Sequence, residues 1–222
     1  MGQTAIVIGA TGLVGQALVD RLAAADAIDK VVTLTRRPTR HSYAKVQNQV
    51  VAFDHLEDHA AAFAGDLLFS CLGTTRKQAG SIAAQRIVDV EYQYMAAQLA
   101  AAQGVRHYLL VSSSGANAES GNAYLRMKGE LEQRVIVLPF KRISIFQPSL
   151  LLGHRAEPRP GEKLWSWILP PLCALPGLRR YRPIRAEQVA AKMVEASQRP
   201  GPALEFFRLD EIFPINPPSG SD

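Results

Sequence analysis

Ala5-Ile6-Val7-Ile8-Gly9-Ala10-Thr11-Gly12-Leu13-Val14-Gly15 decides how this chain is read. Four apolar residues break into three glycines spaced Gly-x-x-Gly-x-x-Gly, and an amphipathic stretch from Leu13 to Leu22 follows at once. Strand, tight turn and helix N-terminus in that order make a phosphate site. Glycines let the backbone approach a pyrophosphate, while free helix N–H groups and the helix dipole favour its charge. A glycine triplet alone marks a turn for steric reasons only. This one lies between a strand signal and a helix signal, the context a dinucleotide fingerprint requires. The expected cradle is Gly9, Thr11, Gly12, Leu13, Val14 and Gly15.

The bulk composition narrows the class. At 222 residues and 47% apolar, the chain is one domain of ordinary size with a full core. Cys71 and Cys173 are too few for a disulfide framework and lack metal-ligand spacing, so free thiols in a reducing cytosol are expected. No targeting pattern opens the sequence, and no apolar run approaches the ~18 residues of a membrane span. The expectation is a cytoplasmic protein. The net charge of +5 raises nucleic acid as a partner. Much of the excess, however, lies in two short clusters, Arg36-Arg37-Arg40 and Arg179-Arg180-Arg182-Arg185, with no long basic helix. A local anion site explains them better.

Apolar runs alternate with helical stretches. Strands are predicted at Ala5–Ile8, Val31–Thr35, Val50–Phe53, Leu67–Cys71, Tyr108–Ser112 and Arg142–Phe146. Helices are predicted at Leu13–Ala25, Ser81–Gln103 and Asn122–Val137, with a shorter one near Leu56–Phe63. That alternation predicts an α/β fold, a doubly wound parallel sheet of Rossmann type spanning about residues 3–150. Beyond Pro148, loops rich in proline surround an apolar segment holding Trp165 and Trp167; a helix at Ala186–Gln198 and a strand at Leu204–Leu209 follow. We expect residues 151–213 to form a small loop-rich cap and 214–222 a frayed tail.

Several positions carry chemistry in that frame. Arg36 and Arg37 follow the second strand, where the adenosine ribose is expected. With no acidic residue in Thr33–Arg40, they suit the 2′-phosphate of NADP(H), with NAD(H) as the alternative and a solvated basic loop as the bland reading. Asp54 either accepts the adenine amine or caps the next short helix. Leu72-Gly73-Thr74, after the fourth strand, offers N–H groups and a hydroxyl at the expected switch point; neighbouring Cys71 reads as inert. Tyr124 and Lys128 are four apart on a predicted helix and share a face. An ammonium beside a phenol stabilises the phenolate, which suits Tyr124 to exchange a proton with a carbonyl or alcohol oxygen. Lys128 can also bond the nicotinamide ribose. One serine of Ser112-Ser113-Ser114 is expected to hold the substrate oxygen. The bland reading is a packed tyrosine and a solvated lysine. The five histidines show no metal-binding pattern, so no metal is expected.

Gly9-x-x-Gly12-x-x-Gly15, Ser112-Ser113 and Tyr124-x-x-x-Lys128 resemble the extended and atypical branches of the short-chain dehydrogenase/reductase superfamily. Cys71-Leu72-Gly73-Thr74-Thr75-Arg76, Ser112–Ala116, Tyr124-Leu125-x-x-Lys128-Gly129-Glu130 and Arg159-Pro160-Gly161-Glu162 are similar to the atypical group of HIV Tat-interacting oxidoreductase-like proteins, over most of residues 3–165. The resemblance implies bound NADP(H) and a Ser-Tyr-Lys set, for which we take Ser113, with Ser112 and Ser114 as alternatives, beside Tyr124 and Lys128. It also implies that Pro148-Ser149-Leu150 closes near the nicotinamide, and that the predicted helices pair in a homodimer. The leading expectation is an oxidoreductase acting on a small carbonyl or alcohol. A cofactor sensor that docks a partner through Lys163–Leu178 is the second. Nucleotide-sugar epimerisation is the third, weakened by the short C-terminal part.

Overall fold

A computed structural model describes residues 2–152 and 182–213. Seven strands form one all-parallel sheet in the order β3-β2-β1-β4-β5-β6-β9. They are β1 (Gln3–Ile8), β2 (Ile28–Thr35), β3 (Val46–Val50), β4 (Leu67–Ser70), β5 (His107–Val111), β6 (Arg142–Gln147) and β9 (Leu204–Arg208). A two-stranded parallel ribbon pairs β7 (Leu151–Leu152) with β8 (Ile184–Arg185). The central strands carry apolar residues at nearly every position because both faces are covered. Alternate side chains sort the core. Ala5, Val7, Phe69, Leu109 and Phe146 face α1 (Leu13–Ala24) and α6 (Ala186–Gln198), while Ile6, Ile8, Leu68, Tyr108 and Ile145 face the opposite layer.

That second layer holds α4 (Tyr92–Ala102), α5 (Ala123–Val135) and a 3₁₀ segment at Phe53–Phe63. Between β1 and β4 the winding reverses, which opens a crevice beyond their carboxyl ends.

Two predicted elements differ from those observed. The third strand lies at Val46–Val50, not Val50–Phe53. It is an exposed edge of sequence Val-Gln-Asn-Gln-Val and needs no apolar run. Of the residues placed in it, Val51 and Phe53 turn inward while Val50 stays exposed, and Leu56 and Phe63 join Phe53 in filling the core from the 3₁₀ segment. The single helix predicted over Ser81–Gln103 is three pieces: α3 (Ile82–Arg86), a π-helical turn at Ile87–Glu91, and α4. A further short helix, α2 (Arg76–Ala79), precedes it. The helix and strand predicted near Ala186–Gln198 and Leu204–Leu209 are present. The Trp165 and Trp167 segment and the tail 214–222 lie outside the described residues. No helix among the described residues is long and apolar enough to cross a membrane.

A buried polar cluster ties β5, β6 and β9 together near their amino ends. Ser144 Oγ donates to Glu205 Oε1 at 2.6 Å, so its single proton is used. His107 Nε2, 2.8 Å from Ser144 Oγ, must therefore be the donor, which makes His107 the neutral Nε2–H tautomer. Burial works to raise the Glu205 carboxyl, but hydrogen bonds from Ser144 and Arg142 and the charges of Arg142 and Arg199 outweigh it and lower the net value. Burial, reinforced by Arg142, pushes His107 from its ordinary 6.5 to about 4. The unfolded chain therefore binds this proton first on acidification. This proton leaves stability unchanged above pH 6.5 and lowers it as pH falls towards about 4, by roughly 3 kcal/mol at the acid end. His107→Gln should flatten the pH dependence of unfolding free energy over this window, measured by denaturant titration at several pH values; an unchanged slope would assign the acid sensitivity elsewhere.

Candidate cofactor and active site

The glycine turn is built by contact. Gly9 takes φ +77°, and a Cβ there would overlap the backbone of Cys71 and Leu72, which follow β4. A Cβ on Gly15 would run into the Gly9 carbonyl, so the first turn of α1 sits directly on the end of β1. Gly12 N–H donates to Gly9 O at 3.0 Å and closes the turn. Gly12 is also the N-cap of α1 and offers no side-chain acceptor, and no acidic residue stands in the first turn. The free N–H groups of α1 therefore face the crevice. Backbone donors without a Cβ or a carboxylate in the way fit a pyrophosphate.

Two adjoining clefts share Thr11, Gly12, Cys71, Leu72 and Gly73. The smaller, about 340 Å³, is lined by Gly9, Leu34, Thr35, Arg36, Arg37, Thr39 and Phe53. Asn48 on β3 shapes its arginine loop: it accepts the Thr39 N–H at 3.0 Å and donates to Thr33 O and Thr35 Oγ1 at 3.1 and 2.8 Å. Thr35 Oγ1 donates in turn to Arg37 O at 2.7 Å. The exposed guanidinium groups of Arg36 and Arg37 are thus carried on a fixed backbone. Asp54 does not line this cleft. It lies in the first turn of the 3₁₀ segment, whose N-cap is Ala52, and its carboxylate accepts the Tyr92 phenol. That position is not an N-cap, so the capping role does not hold; Phe53, one residue earlier, occupies the cleft wall.

The larger cleft, about 580 Å³, brings together Thr11, Leu13, Val14, Thr74, Tyr124 and Lys128. Asn122 Oδ1 accepts the N–H groups of Tyr124 and Leu125 at 3.0 and 3.2 Å, which starts α5 and sets Tyr124 in its first turn. Lys128, 4% exposed, holds its ammonium 6.0 Å from the centre of the Tyr124 ring. Among the described residues no acceptor bonds that ammonium, and it faces the same cleft as the phenol. A Cβ on Gly129 would overlap the Asn117–Ala118 backbone, so the loop after β5 packs tightly on this helix.

Of the three serines, Ser112 lines the cleft, and its hydroxyl donates to Glu132. Ser113, the residue expected to hold the substrate oxygen, does not line it; its Oγ is 3.4 Å from the Ser114 carbonyl. Side chains alternate in direction at a strand end, and the turn away begins at Ser113. Pro148 and Ser149 also stand back. Pro148 O accepts the Ser114 N–H at 2.9 Å and Ser149 Oγ donates to Arg182 O at 2.6 Å, leaving Leu151 on the wall. Burial pushes the Cys71 thiol up to about 12 against a smaller pull from Lys128, which disfavours the nucleophilic thiolate.

Asp89 is the residue that sequence reasoning missed. It is fully buried on the π-helical turn, and its Oδ1 accepts the Thr74 N–H at 2.8 Å. Gln85 Nε2 donates to Asp89 Oδ2 and Thr74 O at 3.1 and 3.3 Å. Gln93 donates to the Asp89 carbonyl and accepts from Ser70 Oγ, both at 2.8 Å. The visible signal was Gln85, Asp89 and Gln93 at spacing four, a polar stripe within an apolar helix face. Arg86 and Arg134, paired with Glu91 and Glu130, brace the π-helical turn against α5. No cluster of three metal-ligating side chains occurs among the described residues.

A model of the NAD(P)H-binding family matches residues 9–136. Protein HTATIP2 of Rattus norvegicus is 40% identical over 166 residues, 73% of this chain and 68% of that one. Protein FMP52-1, mitochondrial, of Scheffersomyces stipitis is 33% identical over 225 residues, 94% and 96% of the two chains. Among solved structures, MoeE5 in complex with UDP-glucuronic acid and NAD superposes with a TM-score of 0.71 at 13% identity, covering 93% of this chain and 76% of that one. A short-chain dehydrogenase/reductase superfamily protein from Agrobacterium tumefaciens with bound NAD gives 0.69 at 15% identity, covering 93% and 77%. At those identities the two structures speak for the fold.

Asp89→Ala removes the acceptor for the Thr74 N–H and should weaken NADPH binding about tenfold, the order set by one buried charged hydrogen bond. Fluorescence titration of NADPH checks this, and Asp89→Asn should recover most of the affinity. Equal affinities in all three proteins would free the turn from Asp89.

Proposed function

This chain belongs to the NAD(P)H-binding family of atypical short-chain dehydrogenases/reductases, and on that premise we propose that it is an NADP(H)-dependent reductase of small carbonyl compounds. The observation that carries the reading is the pairing of Tyr124 and Lys128 on one face of α5, turned into a cleft that continues to the glycine turn. Bound NADPH supplies a hydride there. Tyr124 gives its phenolic proton to the substrate oxygen as charge builds on it. Lys128 stabilises the phenolate that remains and can bond a ribose hydroxyl. Ser112 is the serine that reaches the cleft, and we assign it the contact to the substrate oxygen in place of Ser113, its hydroxyl turning from Glu132 to the substrate when that carboxyl is protonated.

NADP(H) preference rests on Arg36 and Arg37, which line the smaller cleft with no carboxylate beside them. A guanidinium pairs a phosphate by charge-assisted hydrogen bonds, whereas a free ribose hydroxyl gains little from it. The nucleotide-sugar enzymes that share the fold do not alter this reading.

Two outcomes are expected. Tyr124→Phe should cut NADPH-dependent turnover by about a hundredfold or more across a carbonyl panel, the usual share of a general acid, with NADPH affinity nearly unchanged. Wild-type protein that binds NADPH yet shows no Tyr124-dependent turnover would overturn the reductase reading. The double variant Arg36→Ala/Arg37→Ala should weaken NADPH by roughly ten- to a hundredfold and leave NADH unaffected; parallel losses for both cofactors would remove the 2′-phosphate assignment.

A further inference from the structure

Behind the active-site wall lies a separate cleft of about 400 Å³, lined by Ser114, Gly115, Ala116, Glu132, Gln147, Phe206, Arg208 and Leu209. Glu132 lines it and belongs to the same stripe of α5 as Tyr124 and Lys128 at spacing four. Glu132 is 8% exposed and its partners come from every element around it. Ser112, at the end of β5, donates its hydroxyl to Oε1, and Gln147 on β6 donates to both oxygens at 3.0 Å. Arg208 on β9 donates through Nε to Gln147 Oε1 at 3.2 Å. The charged groups facing Glu132 are Lys128 from its own helix and Arg208 from β9. Leu209, next to Arg208, is held at φ +50°, a conformation rare for a leucine, with Arg208 N–H bonded to Glu211 at 2.8 Å. The mouth of this cleft therefore has a fixed backbone.

We propose that Glu132 is a proton relay, which takes protons from water in this rear cleft and passes them through the Ser112 hydroxyl to the Tyr124–Lys128 pair. The relay rests on the reductase reading. Two clefts on opposite sides of one wall share a single hydrogen-bonded link: Ser112 lines the front cleft and Glu132 the rear one. A reductase needs such a supply. The carbonyl carbon takes the hydride and its oxygen takes the Tyr124 proton, which leaves a phenolate in the front cleft. The phenolate regains a proton from the Lys128 ammonium. Protonated Glu132 donates to Ser112 Oγ, the reverse of the bond made to the carboxylate. Ser112 passes its own proton to the amine through a water in the front cleft, since Lys128 bonds no acceptor among the described residues. The carboxylate then takes a proton from solvent. Each turnover thus draws one proton from water behind the wall. Burial raises the Glu132 carboxyl above the ordinary range despite hydrogen bonds from Gln147 and Ser112 and the charges of Lys128 and Arg208. A proton store between bulk water and a phenol should have that bias. Glu132 does not touch the substrate, so it acts through Ser112 and Lys128.

The test uses Glu132→Gln, Glu132→Asp and Arg208→Met in the whole protein, with turnover followed against pH and NADPH binding measured by calorimetry in buffers of different ionisation heat. Wild-type carbonyl reduction should slow as pH rises through the Glu132 titration. Glu132→Gln should lose that limb and run about tenfold slower on its acid side, the lower end of a proton-transfer contribution. Glu132→Asp should recover part of the rate. Arg208→Met, which removes a cation that favours the carboxylate, should move the limb to higher pH. NADPH brings phosphate charge into the front cleft, so its binding should take up protons in the wild type and take up none in Glu132→Gln. A wild type that turns over while Glu132→Gln and Arg208→Met superimpose on its pH profile overturns the relay alone. Proton uptake that persists in Glu132→Gln also overturns it. A wild type without Tyr124-dependent turnover overturns the reductase reading, and the relay with it.

Discussion

The contact between Gly15 and the Gly9 carbonyl sets the spacing of everything at the carboxyl edge. Because no Cβ intervenes, α1 begins on top of β1, and its free amides come within reach of the crevice where the winding reverses. The same closeness presses Gly9 against Cys71 and Leu72, so the turns after β1 and β4 form one continuous floor. Both clefts are cut into that floor, which is why they share five residues. A methyl group at either glycine would separate the turns and leave two unrelated depressions.

The loops above the floor are held in a common way, by a side chain from a neighbouring element bonded to loop backbone. Asn48 does this for the arginine loop, Asp89 and Gln85 for Gly73–Thr74, and Asn122 for the start of α5. Loops carry function because they are not fixed by ladders, and that freedom must be removed where a ligand is to be oriented. The π-helical turn belongs to this scheme. Its widened register lets Asp89 leave the helix surface and reach Thr74, a use in keeping with the frequent occurrence of π-bulges at functional sites.

How legible all this is in the sequence depends on what each residue is asked to do. Buried central strands and a glycine-bounded helix declare themselves, because burial on two faces demands apolar runs and close approach demands glycine. The edge strand Val46–Val50 does not, since solvent on its outer side permits Gln47, Asn48 and Gln49. The break at Ile87–Glu91 leaves apolar spacing nearly intact, and periodicity passes over it. Three identical serines cannot be ranked from their order; the bond from Ser112 to Glu132 distinguishes them, and it depends on a helix twenty residues further on. Asp54 illustrates the same limit, as its partner Tyr92 lies 38 residues away.

The helix that presents the cofactor amides is covered by an element far along the chain. α1 ends at Ala24, while α6, which packs along it, spans Ala186–Gln198, and β9 completes the sheet edge only at Leu204–Arg208. A chain emerging in order therefore carries α1 without its α6 cover until that later segment has been made. Such long-range closure slows folding, because loop entropy is lost before the contact repays it. The amides that would meet the nucleotide are thus fixed in place by a segment made long after them.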